Sequence, residues 1–494
     1  MVAIHRVLDT EPVRTLDAYE RSGGGTGIKR VLRDGPDAAL AEVAASGLRG
    51  RGGAGFPTAT KWQSVLDNLS AELPATVVIN AAEGEPGTFK DRSIIRANPY
   101  RVLEGAMIAA LTIGADEVVV ATKQRFTTEV GRLRSAAAEI TEAGWAPRIS
   151  IDVVEGPEEY LYGEETALLE VVAGRLPFPR IAPPWRRGVD DAGDDSALAA
   201  QAEMAVSGQE TPAAPALVNN VETMANVALI MQHGHDWFRE VGTERSPGTI
   251  VCTVTGHTRR DGVREVAMGT PLREVIDAVG GRPRRGDITA VMSGVSNPLL
   301  PPELLDTPLT YEAMKEVGAG LGTGGFIVFD ASVDPVSIAH GVSRFLFVES
   351  CGQCVPCKQD GRVIAESLDR LRTNQVVGDE LAVLQKRLTT VDTGARCFLA
   401  TQHQLVVQST LALFPDAFQA HADGRAAPSD PELIAELVDI ERRADRPGAV
   451  YDEHHGTKQP DWTYNAEDSG DAPSDWLDQR QGEGEAAVES GEII

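Results

Sequence analysis

The hydrophobic positions in the first half of the chain switch between helical and strand-like spacing. Continuous apolar runs predict buried strands, whereas apolar residues repeated every three to four positions predict helices. The pattern predicts helices over residues 15–21, 37–46 and 101–114 and strands over residues 75–79, 117–122 and 149–154. This alternation predicts a parallel sheet covered by helices, as in α/β proteins.

Beyond residue 248 the pattern changes twice. Short strand-like runs around one helix have the order of a ubiquitin-like β-grasp, and a group of helices follows them. The predicted strands cover residues 249–255, 263–266, 288–292 and 326–329, with a helix over 271–279, and the later helices cover 337–350, 361–372, 379–389 and 401–413. After residue 425 only residues 431–443 have helical spacing.

A chain of 494 residues exceeds the size at which a single hydrophobic core keeps growing, so several domains are expected. We predict a helical N-terminal lead-in at residues 1–46, an α/β domain at 47–240 with an acidic insertion at 188–214, a β-grasp domain at 246–332, a helical domain at 335–420, and an acidic, largely disordered tail at 426–494. The tail carries 18 acidic and 5 basic residues, a composition typical of solvated segments.

The charge and the apolar runs also restrict the partners. A formal net charge of −27 argues against nucleic acid, because phosphates require a basic surface. The first residues lack the apolar region of a signal peptide, and the richest apolar run, residues 106–115, is too short to span a bilayer. We therefore expect no membrane insertion, and a location that is cytoplasmic or peripheral to the cytoplasmic membrane through a complex.

A glycine-rich loop lies between two predicted helices. Gly50, Gly52 and Gly55 have the G-x-G-x-x-G spacing of dinucleotide-binding loops, but a helix rather than a strand precedes them. Glycines still allow the backbone to approach a pyrophosphate, and Lys61 with the amides of the next helix can take anionic charge. A tight turn without a ligand is the alternative at this point.

Acidic residues follow the predicted strands. Glu83 and Glu85 come soon after the strand at 75–79, at the sheet edge where α/β proteins bind ligands. Glu164 and Glu165 begin a segment after the third strand. Because acidic residues favour helix N-termini, a solvated helix start is the alternative for this second pair.

Four of the five cysteines form one set of candidate metal ligands. Cys351, Cys354 and Cys357 have C-x2-C-x2-C spacing, and Cys397 follows forty residues later. Three thiolates on a tight loop with a distant fourth are typical of a [4Fe-4S] cluster, whereas zinc sites more often use two separated pairs or histidine. Zinc and unliganded thiols remain alternatives. Cys252, within a predicted strand, is interpreted as a small buried hydrophobe.

Six motifs in this order resemble those of the NADH-binding flavoprotein of respiratory complex I (the 51 kDa-type or F subunit) and of the related diaphorase subunits of NAD-linked formate dehydrogenases and hydrogenases. The motifs lie at residues 47–57, 80–92, 163–168, 218–223, 321–325 and 349–357. The resemblance implies an α/β flavin/NADH-binding domain, followed by a ubiquitin-like β-grasp (SLBB-type) domain and a C-terminal four-helix bundle carrying a [4Fe-4S] cluster. It implies hydride transfer from NADH to FMN and single-electron transfer to the cluster, or the reverse.

The resemblance also assigns residues to each ligand. FMN would contact Gly50, Arg51, Gly52, Lys61, Asn80, Glu83, Tyr160, Gly163, Glu164, Asn219, Asn220 and Thr223. NAD(H) would lie near Gly53, Ala54, Phe56, Glu85, Glu165 and Trp185, and the cluster would be held by Cys351, Cys354, Cys357 and Cys397. A carboxylate at Glu165 would repel a 2′-phosphate and so favour NADH over NADPH. No side chain is implied as a covalent catalyst.

Three positions depart from the family pattern. Ala82 stands where the family has an aspartate in the flavin pocket, Ala182 where it has a lysine, and Ser64 where it has an aromatic residue. A lost stacking ring removes about 1 kcal/mol of contact, which Trp185 offsets in part. These differences support an alternative function, a flavin and iron–sulfur module of a formate dehydrogenase- or hydrogenase-like complex with a weakened nicotinamide site and a different redox partner.

The sequence contains no further cysteine cluster, so electrons have to leave to another polypeptide. We expect the partners to be other iron–sulfur subunits of a multisubunit oxidoreductase, of the 24 kDa thioredoxin-like type or the ferredoxin-like type. A third hypothesis, a structural relic that only docks partners, predicts that no flavin is bound.

Overall fold

The structure is a computed structural model that describes residues 4–69, 74–189, 214–442 and 447–460. Most of the predicted acidic insertion and the last 34 residues of the predicted tail lie outside the described residues. Within the described residues, no helix is long and apolar enough to cross a membrane.

A four-stranded parallel sheet forms the centre of the first domain, as the strand–helix alternation predicts. Its strands are β1 (Thr76–Ala81), β2 (Glu117–Lys123), β3 (Ser150–Gly156) and β4 (Ala216–Asn220), in the order β3-β2-β1-β4. Strand β1 lies next to β4 with Asn80 opposite Asn220, so the polar residues at the carboxyl ends of both strands share one edge.

Helices cover this sheet because their apolar faces need a partner surface. They are α4 (Thr58–Leu66), α5 (Lys90–Ala97), α6 (Pro99–Ile113), α7 (Thr127–Glu142), α8 (Glu165–Val172), α9 (Val221–His233) and α10 (His235–Arg239). Helices α6 and α9 are buried over most of their length. They approach closely at Gly105, where an added Cβ would lie 1.9 Å from the carbonyl oxygen of Met224.

The predicted N-terminal lead-in is helical over most of its described length. It contains α1 (Leu16–Arg21), α2 (Thr26–Asp34) and α3 (Pro36–Ser46). The buried carboxylate of Glu104 on α6 fastens it, accepting hydrogen bonds from the Tyr19 hydroxyl at 2.6 Å and the Gly25 amide at 2.9 Å. The lead-in therefore packs against the α/β domain rather than standing apart from it.

The second sheet combines parallel and antiparallel pairing. Strands β5 (Thr249–Gly256), β6 (Gly262–Ala267), β7 (Ile288–Ser293) and β8 (Gly325–Asp330) lie in the order β6-β5-β8-β7, with β5 and β8 parallel. The helices in this region are α11 (Leu272–Val279) and α12 (Tyr311–Glu316). Cys252 is fully buried in β5, and burial raises the pKa of its thiol, consistent with a packing role.

A group of helices follows the second sheet and carries the cysteines. It comprises α13 (Pro335–Glu349), α14 (Val355–Arg372), α15 (Glu380–Leu388), α16 (Leu399–Leu413) and α17 (Pro415–Ala422). Cys351 and Cys354 lie between α13 and α14, Cys357 lies in the first turn of α14, and Cys397 lies two residues before α16 begins.

The disorder predicted for the acidic tail is wrong for the described residues 426–442 and 447–460, and the helix predicted at 431–443 is wrong for residues 431–442. The described residues 430–442 and 447–460, here called the strap, contain the antiparallel strands β9 (Leu437–Arg442) and β10 (Pro447–Tyr451). Ile434 and Ala435 of the strap are buried. The extended conformation is stabilised by pairing with β10, a partner that the local spacing of apolar residues does not reveal.

Candidate functional site

The glycine loop turns back on itself between α3 and α4. The Gly50 amide donates to the Phe56 carbonyl at 2.8 Å, and the Thr58 amide donates to the Leu48 carbonyl at 3.0 Å. Gly53 has φ of +123°, a backbone conformation that side-chain-bearing residues rarely adopt. These bonds fix the loop immediately before the N-terminus of α4.

This loop lies on the polar edge of the parallel sheet. The Arg51 amide donates to the Thr223 hydroxyl at 2.9 Å, and a Cβ added at Gly52 would lie 3.3 Å from the Cβ of Asn220. The side chain of Asn219 is turned the other way and accepts from the Trp62 indole at 2.9 Å. The geometry brings the glycine loop together with the ends of β1 and β4.

The side chain of Arg51, by contrast, points away from this edge. Its guanidinium group is buried, donates to the carbonyl of Thr249 at 2.9 Å, and lies 3.9 Å from the carboxylate of Glu222. Arg51 therefore joins the glycine loop to the second sheet, and its guanidinium group also donates to the Arg49 carbonyl within the loop at 2.7 Å.

A buried ionic network lies behind the loop, and sequence reasoning missed most of it. The Lys90 ammonium is 2.8 Å from Asp91 and 3.0 Å from Glu222, and Arg92 is 3.0 Å from Glu83. Burial raises the pKa of Asp91, with Lys90 opposing and nearby carboxylates adding to the rise. The signal in the sequence was a run of charged residues, Lys90 to Arg92, soon after Gly87.

Polar contacts from the turn at residues 160–163 complete the edge. The Asn80 amide group donates to the Gly163 carbonyl at 2.8 Å. Glu164 caps α8, accepting from the backbone amides of Thr166 at 3.0 Å and Ala167 at 2.9 Å. Its carboxylate thus satisfies the first turn of α8, as the helix-start interpretation expects, and the assignment of Glu164 to FMN stays a prediction.

Lys61 and Glu165, assigned to different ligands, form an ion pair with Nζ and Oε2 2.5 Å apart. Both side chains remain partly exposed. The pair joins the first turns of α4 and α8.

Glu85 and Tyr160 form a second link, which reaches the cysteine-bearing helices. The Tyr160 hydroxyl donates to the Glu85 carboxylate and also lies within hydrogen-bond distance of Gln402 on α16. Glu85 accepts a further bond from the Val295 amide at 2.8 Å. Burial raises the pKa of Glu85, although these donors oppose the rise.

The remaining predicted nicotinamide residues have different surroundings. Phe56 is 51% exposed, Ala54 is exposed beside it, and Gly53 faces Thr323 of the motif at residues 321–325. Trp185 is partly buried against the core of the α/β domain. Ser64, which replaces an aromatic residue of the family pattern, donates its hydroxyl to the Thr60 carbonyl of its own helix at 3.0 Å.

The four predicted ligand cysteines line one recess. Its volume is about 300 Å³, part of which is open solvent, and Leu161 and Pro179 of the first domain line it together with Cys351, Cys354, Cys357 and Cys397. No three His, Cys, Asp or Glu side chains in the described parts of the chain converge closely enough to hold a single metal ion. The four cysteines are nevertheless gathered around the same recess.

The surroundings of the sulfur atoms fit a cluster. The Ser350 hydroxyl lies 3.2 Å from the sulfur of Cys357, and the Gln353 amide group donates to the sulfur of Cys351 at 3.6 Å. Such hydrogen bonds to sulfur tune the potential of iron–sulfur centres. Burial raises the pKa of Cys357 to about 11 and also raises that of Cys397, so iron would have to supply the charge that keeps them thiolates.

The first site also has a feature that fits a flavin. The hydroxyl oxygen of Thr58, in the first turn of α4, is buried and has no hydrogen-bond partner among the described residues. This hydroxyl offers a donor to an anionic ligand at the N-terminus of α4. Fold and sites together define a protein with one flavin-type edge and one cluster-type recess.

Comparison with known proteins places the chain in a family. Residues 43–229 match the Nuo51 FMN-binding domain, and residues 337–421 match the NADH-ubiquinone oxidoreductase-F iron–sulfur binding region. The F subunit of NADH-quinone oxidoreductase from Mycobacterium tuberculosis (strain ATCC 25618 / H37Rv) is 34% identical over 440 residues, covering 86% of this chain and 94% of that protein. The protein of the same name from Streptomyces coelicolor is 33% identical, covering 86% and 91%.

A solved structure agrees with these relatives. A chain of the NAD+-reducing [NiFe]-hydrogenase in its H2-reduced state matches with a TM-score of 0.70 and 33% identity, covering 84% of this chain and 66% of that one. The chain belongs to the family of NADH-quinone oxidoreductase F subunits. The predicted flavin-binding α/β domain, iron–sulfur region, and NADH-linked electron-transfer function are confirmed at this level. The individual ligand residues and domain boundaries stay predictions.

Proposed function

We propose that this chain is the subunit at which a multisubunit oxidoreductase exchanges electrons with NADH, located in the cytoplasm or at the cytoplasmic face of a membrane complex. The observation that carries the proposal is the contact between its two sites. The turn at residues 160–163 borders the glycine-loop edge through Asn80 and the cysteine recess through Leu161. The 160–163 turn would therefore stand between a flavin held at the first site and a cluster held at the second.

The residues at the edge would bind and orient rather than react. Bound FMN would accept hydride from NADH and release electrons singly, chemistry that belongs to the cofactor. Gly52, Thr58 and the start of α9 would hold its anionic part, and the Lys61–Glu165 pair would border the dinucleotide. Tyr160 and Glu85, held together by their hydrogen bond, would fix the wall facing the cluster recess.

The finer architecture is also proposed. The four-stranded sheet with α11 would be the SLBB-type β-grasp domain, and its mixed strand order β6-β5-β8-β7 supports this proposal. Helices α13, α14, α15 and α16 would form the four-helix bundle that carries a [4Fe-4S] cluster. Partner subunits of the 24 kDa thioredoxin-like or ferredoxin-like kind would receive the electrons.

An anaerobic titration tests the proposal. The purified chain should carry flavin absorbance that bleaches on addition of NADH and much less on addition of NADPH. A colourless protein containing only zinc would contradict both the flavin and the cluster assignments.

A second candidate function follows from Ala182 and Ser64, which replace a lysine and an aromatic residue of the family pattern. In that case the chain would be a flavin and iron–sulfur module of a formate dehydrogenase- or hydrogenase-like complex with a weak nicotinamide site. Bound flavin that neither NADH nor NADPH bleaches, but that a chemical reductant does, would favour this second function.

A further inference from the structure

Two neighbouring loops of the second sheet concentrate positive charge on an acidic protein. They comprise residues 257–261, between β5 and β6, and residues 280–287, between α11 and β7. Arg259, Arg260, Arg282, Arg284 and Arg285 belong to these loops and are exposed, against two acidic residues in the same loops, Asp261 and Asp287. The whole chain, by comparison, has a net charge of −27.

Backbone hydrogen bonds hold the two loops side by side. The Arg259 amide donates to the Arg282 carbonyl at 3.1 Å, and the Arg284 amide donates to the His257 carbonyl at 2.8 Å. Thr258 and Pro283 form an isolated antiparallel bridge between them. The arginines are therefore gathered on one surface, here called the arginine patch, rather than merely close in sequence.

Four of these arginines keep their charge available within the described residues. Arg284 donates to the Thr258 carbonyl at 2.8 Å, and Arg260 donates to the Ala278 carbonyl at 3.3 Å. Among the described residues, no carboxylate forms an ion pair with Arg260, Arg282, Arg284 or Arg285. Of the nearby acids, Asp330 accepts from the Arg285 amide at 2.7 Å and is buried, and Asp261 accepts from the Ala449 amide at 2.9 Å and is buried as well.

We propose that the arginine patch is the docking surface for this chain's own acidic C-terminal segment, residues 461–494. That segment carries ten carboxylates and one arginine. It continues from Pro460, and Lys458 is anchored on α13, where its carbonyl accepts from Arg344 at 2.8 Å. Helix α13 begins at Pro335, close in sequence to Asp330, which accepts a hydrogen bond from the Arg285 amide of the patch. The helix spans 15 residues, or about 22 Å at 1.5 Å per residue, and this length sets the scale of the distance that the segment has to cover.

Reach and charge both favour this occupant. Thirty-four residues can extend about 3.3 Å each, far more than the length of α13. The acidic surface of the rest of the protein repels the segment, whereas the arginine patch attracts it. The covalent connection keeps the effective concentration of the segment near the patch at about millimolar.

Zero-length cross-linking of the full chain tests the proposal. The variants R284K and R260K each keep the positive charge and add an amine that a carbodiimide can join to a carboxylate in contact with it. The matched control is R148K, which places a lysine at an exposed arginine after α7. We expect peptides linking position 284 or 260 to residues 461–494, at several times the yield at position 148.

The yield should also fall several-fold at 1 M salt, because the Debye length shrinks from about 10 Å at 0.1 M to about 3 Å. Equal yields at positions 284, 260 and 148 would overturn the proposal. Mixing isotopically labelled and unlabelled chains identifies links between copies, and links found only between copies, or only to other proteins, would also overturn it. Because all three substitutions are conservative and exposed, unfolding is not expected to obscure the result.

Discussion

Single residues at the flavin edge divide into those that face the opening and those that hold the loops. Gly52 and Phe56 are exposed at the opening, whereas the guanidinium group of Arg51 and the carboxylate of Glu83 are buried and already paired. The resemblance to a family assigns all of them to cofactors alike. Only the contacts separate a residue that binds through its backbone from one that binds through its side chain.

The Lys61–Glu165 pair leads to a prediction about cofactor choice. Glu165→Gln should lower the ratio of kcat/KM for NADH to that for NADPH by about tenfold, since losing one partly exposed charge near a phosphate changes the interaction by about 1–2 kcal/mol. Lys61, released from its partner 2.5 Å away, would add to the change by attracting the phosphate. Steady-state kinetics with both dinucleotides and an artificial acceptor measure the ratio.

The control for this prediction is Glu142→Gln, at the exposed end of α7. That variant should leave the ratio unchanged. An unchanged ratio in Glu165→Gln as well would contradict a position for Glu165 beside the ribose.

At the scale of elements, a very close contact in the α/β domain joins α6 and α9. Gly105→Ala should destabilise the protein by about 1–3 kcal/mol, because the new methyl group collides with the Met224 carbonyl and forces the helices apart. Gly131→Ala in α7, where an added Cβ meets nothing within 4 Å, should instead stabilise it by about 0.5–1 kcal/mol through helix propensity. Urea denaturation of both variants measures the difference, and a stabilised Gly105→Ala would show that the helices are less tightly packed.

The helices and strands also show which parts of the fold the local spacing of apolar residues can predict. Strands such as β1 could be predicted because Val77, Val78 and Ile79 form one buried run, and the cysteine spacing identified the recess. The strap could not be predicted, since β9 depends on β10 and on the Glu436 carboxylate, which lies 2.6 Å from the buried ammonium of Lys123. Such long-range contacts leave no period in the sequence. The buried position of the Arg51 side chain was hidden for the same reason.

The strap contacts the second sheet through a histidine, which gives a prediction about pH. His257 lies 3.2 Å from Glu432 of the strap, and that hydrogen bond, opposed by burial and by Arg284, raises the pKa of His257. A raised pKa means that the contact stabilises the folded state fully below the unfolded value of about 6.5 and loses this contribution as pH rises through the folded value. The free energy of unfolding should therefore fall, relative to that of His257→Gln, as the pH rises above about 6.5.

Urea midpoints of the two proteins across this range measure the effect. His454→Gln, at an exposed position of the strap, is the control and should follow the wild type. Parallel curves for wild type and His257→Gln would show that the pair adds nothing to stability.

For the whole molecule, the strap and the turn at residues 160–163 make the separate sheets and helices interdependent. Arg125 of the first domain contacts Asp452 of the strap at 2.7 Å, and Lys458 of the strap contacts Glu349 at 2.8 Å, two residues before Cys351. The Glu349 carboxylate also accepts from the Tyr160 amide at 2.8 Å. The relative position of the flavin edge and the cysteine recess is thus set by several direct contacts rather than by a linker.

The last prediction is that the cluster can be lost from the cysteine recess while FMN stays bound at the flavin edge. Cys397→Ser should lose most of its iron and the absorbance of the cluster, because one of the four sulfurs around the recess is removed. FMN should remain bound, since the contacts of the glycine loop, such as the Arg51 amide to Thr223, involve no residue of α16. Cys252→Ser, in the buried interior of β5, is the matched control and should keep both iron and FMN while lowering stability. Iron and FMN assays on the purified proteins measure both effects. Full iron content in Cys397→Ser would refute this cysteine as a ligand. Loss of FMN together with the iron would show that the two sites are coupled, and the hydrogen bond between Tyr160 and Gln402 is the contact that joins them.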